Sequence, residues 1–491
     1  MAIAVEQFFL DPEHRGTLQR QLQEIVTGGI LAGRFRSGQK MPSSRGLARH
    51  LGISRITVTL AYTDLVANDY LSARGRSGYF VSDSAPRPPS FPVSAPAESR
   101  VDWSRAIGQR FQQANILSRP EDWRRYRYPF IYGQTDARLF DHQNWRKCAL
   151  QALGTRDFAA LTEDSYGRDD PQLVDQIIRH ILPRRGIVAE PSEVLVTMGA
   201  QNALWMLAQV LLTQRRTAVM EFPCYPALRE ILAQSRCNTT EVPVDQAGLD
   251  PDAVPPEADV VFVTPSHHCP TSATMPMDRR RALLARAEEH EFLIVEDDYE
   301  FELAFTSSPS PALKSLDRSG RVAYLGSFAK SLFPGLRLGY VVAPEPLIRE
   351  LRSLRSLIVR HVPGHIQRAT AYFLAQGHYD AQVHKMARAY RERRAVTEAA
   401  IGAHGLTLAG ASSFGGSSFW MQAPPGIEAA ALAERLRQRQ VLIEPAGAFF
   451  GAGRDPGTHY RLAYSSIAVP DIPEGIRRIA EEGAALARGA A

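Results

Sequence analysis

The sequence predicts an α/β protein made of a small basic helix-turn-helix module, a proline-rich linker and a large domain on a mostly parallel sheet. Three observations predict it. Positive charge gathers near one end of the chain, prolines cluster just after it, and strand and helix signals alternate through the rest.

The charge comes first. The chain carries 57 Lys and Arg against 52 Asp and Glu, a net +5 over 491 residues. Between His14 and Ser82 lie ten basic residues and three acids, which leaves 47 bases and 49 acids elsewhere. A basic module on a near-neutral body is the electrostatic footprint of a nucleic-acid reader.

Within that stretch, Leu18, Leu22, Ile25 and Ile30 share roughly one helical face. Ser43-Ser44 can cap a short helix that ends at Gly52, and Ser54 can cap a second from Arg55 to about Asn68. Two short helices joined by a glycine-containing turn form a helix-turn-helix. Arg55, Thr57 and Thr59 then sit near the start of the second helix, where major-groove readers place their contacts. ARGRSGYFV follows as a hairpin with a basic, glycine-rich tip, a wing suited to phosphate or the minor groove.

The linker is SDSAPRPPSFPVSAPAES, Ser82 to Ser99, with five prolines and neither helical nor strand period. Beyond it, EVLVT, DVVFVT, FLIVED and VAYLGS are short apolar runs that read as buried strands, while Leu173–Leu182 and Arg281–His290 carry helical spacing. Such alternation predicts a parallel sheet covered on both faces, with ligands at the carboxyl ends of its strands.

Four motifs fall at those ends. GSFAKSLFPGLRLGY places Ser327, Lys330 and Arg337 after VAYL. A lysine there suits an aldehyde cofactor bearing a phosphate: the amine forms a Schiff base, and Ser and Arg donate to the phosphate. FLIVEDDYE supplies Asp297, a carboxylate for a pyridinium nitrogen, and Tyr299 two residues on to bond a ring oxygen. An Asp-Asp pair also suits Mg²⁺, a reading that the lysine motif 33 residues later disfavours. In TMGAQNALW, a strand meets a helix at Gly199-Ala200-Gln201, where free amides can hold a phosphate. In EFPCYPALRE, Tyr225 is placed to stack on the ring.

Composition narrows the setting. With 44% hydrophobic and 22% charged residues the chain reads as an ordinary globular protein. No apolar run of about 18 residues predicts a membrane span, and the start lacks the pattern of a secretory leader, so a cytoplasmic protein is expected. Cys148, Cys224, Cys237 and Cys269 form no close pair, which predicts reduced thiols and no metal site.

Residues 14–82, from G-x-x-MPSSRGLARHLGISRITVTLAY to DYLSARGRSGYFV, resemble the winged helix of GntR-type bacterial repressors. That resemblance implies DNA contacts from Ser44, Arg45, Arg55, Thr57, Arg74 and Gly78. The four cofactor motifs together resemble the fold-type-I, aspartate-aminotransferase-like family over roughly residues 125–485, with 83–115 as linker. The pairing resembles the MocR/GabR subfamily of regulators, and SYGRDDPQLVDQIIRHILPRRGI fits it too. It implies pyridoxal phosphate at Lys330, a homodimer, promoter DNA as partner and an amine or amino-acid effector sensed by external aldimine formation. Relatives respond to amino acids, taurine, ectoine-derived diamino acids or the vitamin itself. Arg461, in HYRLAYSS, matches the position that pairs with a substrate carboxylate and suits a sulfonate as well.

Two departures bear on function. His268-Cys269-Pro270-Thr271-Ser272 stands where aminotransferases carry Asn-Pro-Thr-Gly, and Cys269 cannot replace the asparagine amide. Weak or half transamination at most is expected, and the alternative is a working aminotransferase carrying a DNA-binding module. Near Tyr225 the residue two on is Ala227 and the nearest arginine is Arg229, so the effector is expected to differ from GABA or to be held differently.

Overall fold

The computed structural model describes residues 2–86, 101–111, 117, 119–133, 135–306, 310–410, 415–451 and 453–490. The chain divides into two compact units, Met1–Gln109 and Arg110–Ala491. The proline-rich stretch lies largely outside the described residues. Its described end holds one helical turn, Trp103–Ala106, capped by Asp102.

In the first unit, helix α1 (Leu18–Leu31) starts at Thr17, α2 (Ser44–Leu51) at Ser43 and α3 (Arg55–Ala67) at Ser54. Each capping hydroxyl accepts from a backbone amide of the first turn, Arg20, Gly46 and Thr57 respectively. Such a cap is worth about 1 kcal/mol. Gly52 ends α2 with φ 67°, a conformation that only glycine adopts without steric cost. Strands β1 (Leu71–Ala73) and β2 (Tyr79–Val81) form the wing hairpin, Leu71 opposite Val81.

The core of this unit gathers Leu22, Val26, Ile30, Leu47, Val58, Tyr62 and Leu65. Two features differ from the expectation. Leu18, the first residue of α1, is 48% exposed, and Val26 completes the buried stripe instead. Ile3 and Phe8, upstream of His14, are buried in the same core.

The second unit is built on an eight-stranded sheet. Its strands are β3 (Val194–Thr197), β4 (Thr217–Phe222), β5 (Asn238–Asp245), β6 (Gly248–Leu249), β7 (Val260–Val263), β8 (Leu293–Asp297), β9 (Val322–Ser327) and β10 (Gly339–Val342). Their order is β3-β10-β9-β8-β7-β4-β5-β6. Neighbours from β9 through β5 pair in parallel, while β10 runs antiparallel between β9 and β3. Every residue of β3, β7 and β9 is buried, the pattern of a sheet covered on both faces. Helix α4 (Ala200–Leu211) packs on one face with Leu204, Leu207 and Ala208.

Leu173–Leu182, one helix by its spacing, is divided. An α-helical segment, Pro171–Gln176, passes into a π turn, Ile177–Ile181, then a 3-10 turn, Leu182–Arg185. Pro183 has no amide hydrogen for a regular continuation. Arg281–His290 lies in a regular helix, α5 (Met277–Glu289).

Beyond the sheet, α6 (His378–Ala403) leads to a second, antiparallel sheet of β11 (Thr407–Leu408), β12 (Ser418–Gln422), β13 (Glu444–Pro445) and β14 (His459–Ala463), ordered β11-β12-β14-β13. Helix α7 (Ile472–Ala490) packs against it through Ile472, Ile476 and Ile479. No helix among the described residues is long and apolar enough to cross a membrane.

Candidate functional site

The carboxyl ends of β3, β4, β7, β8 and β9 point to one edge of the large sheet, and a cavity opens there. Ala200, Gln201, Tyr225, Asp297, Tyr299, Ser327, Lys330, Arg337 and Arg461 all line it. They come from segments up to 261 residues apart, and parallel strand order alone brings the first eight to one edge.

The acidic strand end shows how position is set. Side chains alternate along β8 and its extension. Glu296 turns away and accepts from the backbone amides of Leu313 and Lys314 at 2.8 and 2.9 Å. Asp298 also turns away, to Arg185 Nε at 2.6 Å and the Tyr324 hydroxyl at 2.9 Å. Asp297 and Tyr299 face the cavity. Asp297 Oδ1 is buried with no hydrogen-bond partner among the described residues. Burial, with Asp298 adding to it and Lys330 opposing, pushes the Asp297 carboxyl up to about 7. A buried carboxylate without a partner is costly, and a protonated ring nitrogen would supply that partner.

Gly199 begins α4 with φ 84° and ψ 170°, a region essentially reserved for glycine. A Cβ there would stand 3.1 Å from Arg337 Nη2. Arg337 itself holds φ 52°, and its guanidinium donates to Met198 O at 3.3 Å, against the start of α4. Ser327 Oγ accepts from Ala329 N at 3.2 Å. Helix amides, a hydroxyl and a guanidinium converge here as a phosphate site would require. Substituting Gly199 with alanine is expected to cost roughly 1–3 kcal/mol of strain and to push Arg337 aside. Dialysis should then strip phosphate-bearing ligand faster from this variant, with the fold retained by circular dichroism.

Tyr225 lines the cavity, and its hydroxyl donates to Gln201 Oε1 at 3.4 Å. The Lys330 amine is brought down to about 8 by burial, with Glu300 pulling the other way and Arg461 adding to the depression. Arg461, on β14, is 2% exposed. Its Nε donates to Glu444 on β13 at 2.5 Å, while Nη2 is buried without a partner among the described residues. Arg229 does not enter the cavity; it pairs with Glu241 at 3.3 Å.

Residues that the sequence reading did not single out also line the cavity: Tyr132, Gly133, Leu204, Thr264 and Pro334. The Tyr132 ring lies 3.9 Å from Lys330 Nζ and 3.8 Å from Arg461 Cζ. A glycine turn after the apolar run YPFI was the available signal. Cys269 faces Arg461 Nη1 at 3.9 Å, and burial pushes its thiol up to about 12, so it stays neutral. Beneath, Glu221 accepts from Thr264 N at 3.0 Å and Oγ1 at 2.6 Å, and burial pushes it up to about 8. His268 lies 3.5 Å from Glu221, but burial brings the imidazole down to about 3, so this is a contact between neutral groups.

In the first unit, Arg45, Arg55 and Arg74 are exposed, with Ser44, Thr57 and Gly78 half-buried beside them. Arg55 Nε donates to Ser44 Oγ at 3.4 Å, joining the two helices of the motif. Arg74 lies over the Phe80 ring at 4.7 Å on the wing. Ile56, next to Arg55, is 71% exposed.

Residues 18–81 match the family described as bacterial regulatory proteins of the gntR family, and residues 135–479 match aminotransferase class I and II. The HTH-type transcriptional regulator TauR of Rhodobacter capsulatus is 58% identical over 480 residues, covering 98% of this chain and 99% of its own. The probable rhizopine catabolism regulatory protein MocR of Rhizobium meliloti is 33% identical and covers 79% and 78%. Among solved structures, LysN, an α-aminoadipate aminotransferase of Thermus thermophilus complexed with N-(5'-phosphopyridoxyl)-L-leucine, superposes with TM-score 0.69 at 26% identity. That match covers 79% of this chain and all of the enzyme. Fold, motifs and matches together define a DNA-binding transcription regulator whose larger domain is of aminotransferase type. The chain belongs to the MocR/GabR subfamily of GntR-type regulators.

Proposed function

We propose that the large domain holds pyridoxal phosphate at Lys330 and senses a small primary amine that carries an anionic group. The observation that carries this reading is one cavity containing a depressed lysine amine, an unpartnered Asp297 oxygen and an unpartnered Arg461 nitrogen. Bound there, the cofactor supplies an electrophilic carbon that a primary amine attacks.

Every other part belongs to the chain. Asp297 would hold a proton on the ring nitrogen, and Tyr299 would donate to the ring oxygen. Gly199, Ala200, Gln201, Ser327 and Arg337 would receive the phosphate, and Tyr225 would cover the ring. Arg461 Nη2 takes the effector's carboxylate or sulfonate. Lys330 would hold the cofactor through its amine, which lies against the Tyr132 ring. A ligand shifts DNA binding only through different affinity for two states of the protein.

In this reading residues 14–82 read DNA, 83–115 link, and 125–485 sense. A homodimer in the cytoplasm presents two winged helices to paired half-sites of a promoter. Ser44, Arg45, Arg55, Thr57, Arg74 and Gly78 make the contacts. Replacing Arg55 with alanine is expected to weaken binding to a selected operator by roughly 1–3 kcal/mol. Fluorescence anisotropy across a salt series measures it, and wild-type affinity should itself fall steeply with salt.

The deciding experiment measures operator affinity of cofactor-loaded and cofactor-free protein, with and without an amine panel including taurine and 4-aminobutanoate. Amine-dependent affinity in the loaded protein alone supports sensing. Indifference to both cofactor and amine overturns it. A second reading, a working aminotransferase with a DNA-binding module, rests on Lys330, Asp297 and Tyr299 sharing one cavity. Catalytic accumulation of keto product would favour it, whereas a stoichiometric spectral change would not.

A further inference from the structure

Resting on the sensing reading above, we propose that Tyr132 selects the effector by length. Its ring lies against both the amine-reactive Lys330 and the anion-binding Arg461.

Both cations lie against one ring. Lys330 Nζ is 3.9 Å from its centroid and Arg461 Cζ is 3.8 Å. The amine nitrogen and the guanidinium carbon are therefore no further apart than the sum of those two distances. An effector that attacks where Lys330 sits and reaches Arg461 with its anion must cover that gap, with the ring beside it.

Gly133, the next residue, has φ 78°, and a Cβ there would lie 3.4 Å from Lys330 Nζ, so the Tyr132-Gly133 turn lies beside the lysine. Burial, with Glu300 adding to it, holds the Tyr132 phenol well above its ordinary range, so it stays neutral and its ring keeps an undiminished face toward both cations.

Arg461 adds to the selection. Its Nε is committed to Glu444, which leaves Nη2 as the unpartnered donor. The anion therefore has to arrive from the cavity side, past Tyr132. A short chain passes along the ring edge and leaves both cation contacts in place. A longer chain must fold against the ring or push it out, and then both cations lose their aromatic neighbour.

The test titrates the cofactor-loaded full chain with 3-aminopropanoate, 4-aminobutanoate, 5-aminopentanoate and 2-aminoethanesulfonate. Cofactor absorbance and intrinsic fluorescence are read together. Wild type is expected to prefer the shortest members over 5-aminopentanoate by about tenfold or more, the scale of one or two methylenes in a fitted pocket. Tyr132→Phe keeps the ring and should keep this order. Tyr132→Ala should lose about tenfold for the short members and flatten or reverse the order. Tyr132→Leu, which fills more of the space, serves where the alanine variant fails to fold, and should also lose the order. A responding wild type together with an alanine or leucine variant of unchanged order overturns the inference alone. A loaded wild type that responds to no member overturns the sensing reading and this inference with it.

Discussion

Replacing Lys330 with alanine is expected to abolish stable retention of pyridoxal phosphate. Among the described residues lining the cavity, Lys330 is the one primary amine. Without it, the phosphate contacts of Ser327, Arg337 and the start of α4 remain, but the covalent link is gone. Affinity should fall by at least about a hundredfold, ~2.8 kcal/mol. The visible absorbance of the bound cofactor, present in wild type after gel filtration, should be missing from the variant. Circular dichroism should stay unchanged, because Lys330 lies in the loop after β9, outside the helices and strands. Wild type carries a second signature. Burial lowers this amine to about 8, with Glu300 opposing. Its neutral, nucleophilic fraction therefore rises with pH with a midpoint near 8, well before an ordinary lysine near 10.4. The rate of cofactor loading should follow that curve, and a midpoint near 10 would contradict the site described.

Removing the Arg461 charge should leave cofactor loading intact and silence the effector response. A charge-assisted hydrogen bond of this kind is worth roughly 1.5–3 kcal/mol, about 10- to 150-fold in effector affinity. Truncating Arg461 alone would strand the Glu444 carboxylate, half-buried and 2.5 Å from its present partner. The informative variant is therefore Arg461→Met combined with Glu444→Gln, compared with Glu444→Gln alone. The double variant should bind cofactor and lose the amine titration. The single variant removes the negative charge that competes for the guanidinium and should tighten binding of anionic amines. Equal affinities in wild type and both variants would remove Arg461 from the effector site.

Much of the architecture was legible because it is local. Capping serines, Gly52 and the apolar runs of β3, β7, β8 and β9 declare themselves within a few residues. The cofactor motifs are legible for the same reason, since alternation along a strand fixes Asp297 and Tyr299 on one side and Asp298 on the other. What escaped depends on contacts distant in sequence. Ile3 and Phe8 join a core whose other members begin at Leu22. Leu18 shares the spacing of a core residue yet stands exposed, because spacing defines a helix face and not where that face ends.

The sequence by itself determined the two kinds of domain, the strand-end motifs and the residue types able to hold a phosphate, a ring nitrogen and an amine. Only the tertiary structure decided what those residues meet. Glu444 and Arg461 are 17 residues apart, and the pairing of β13 with β14 sets them opposite one another. Tyr132 is 198 residues from Lys330 and 329 from Arg461, yet its ring touches both. Local propensity encodes elements and their faces, whereas sheet order and the packing of distant turns choose the neighbours in the cavity.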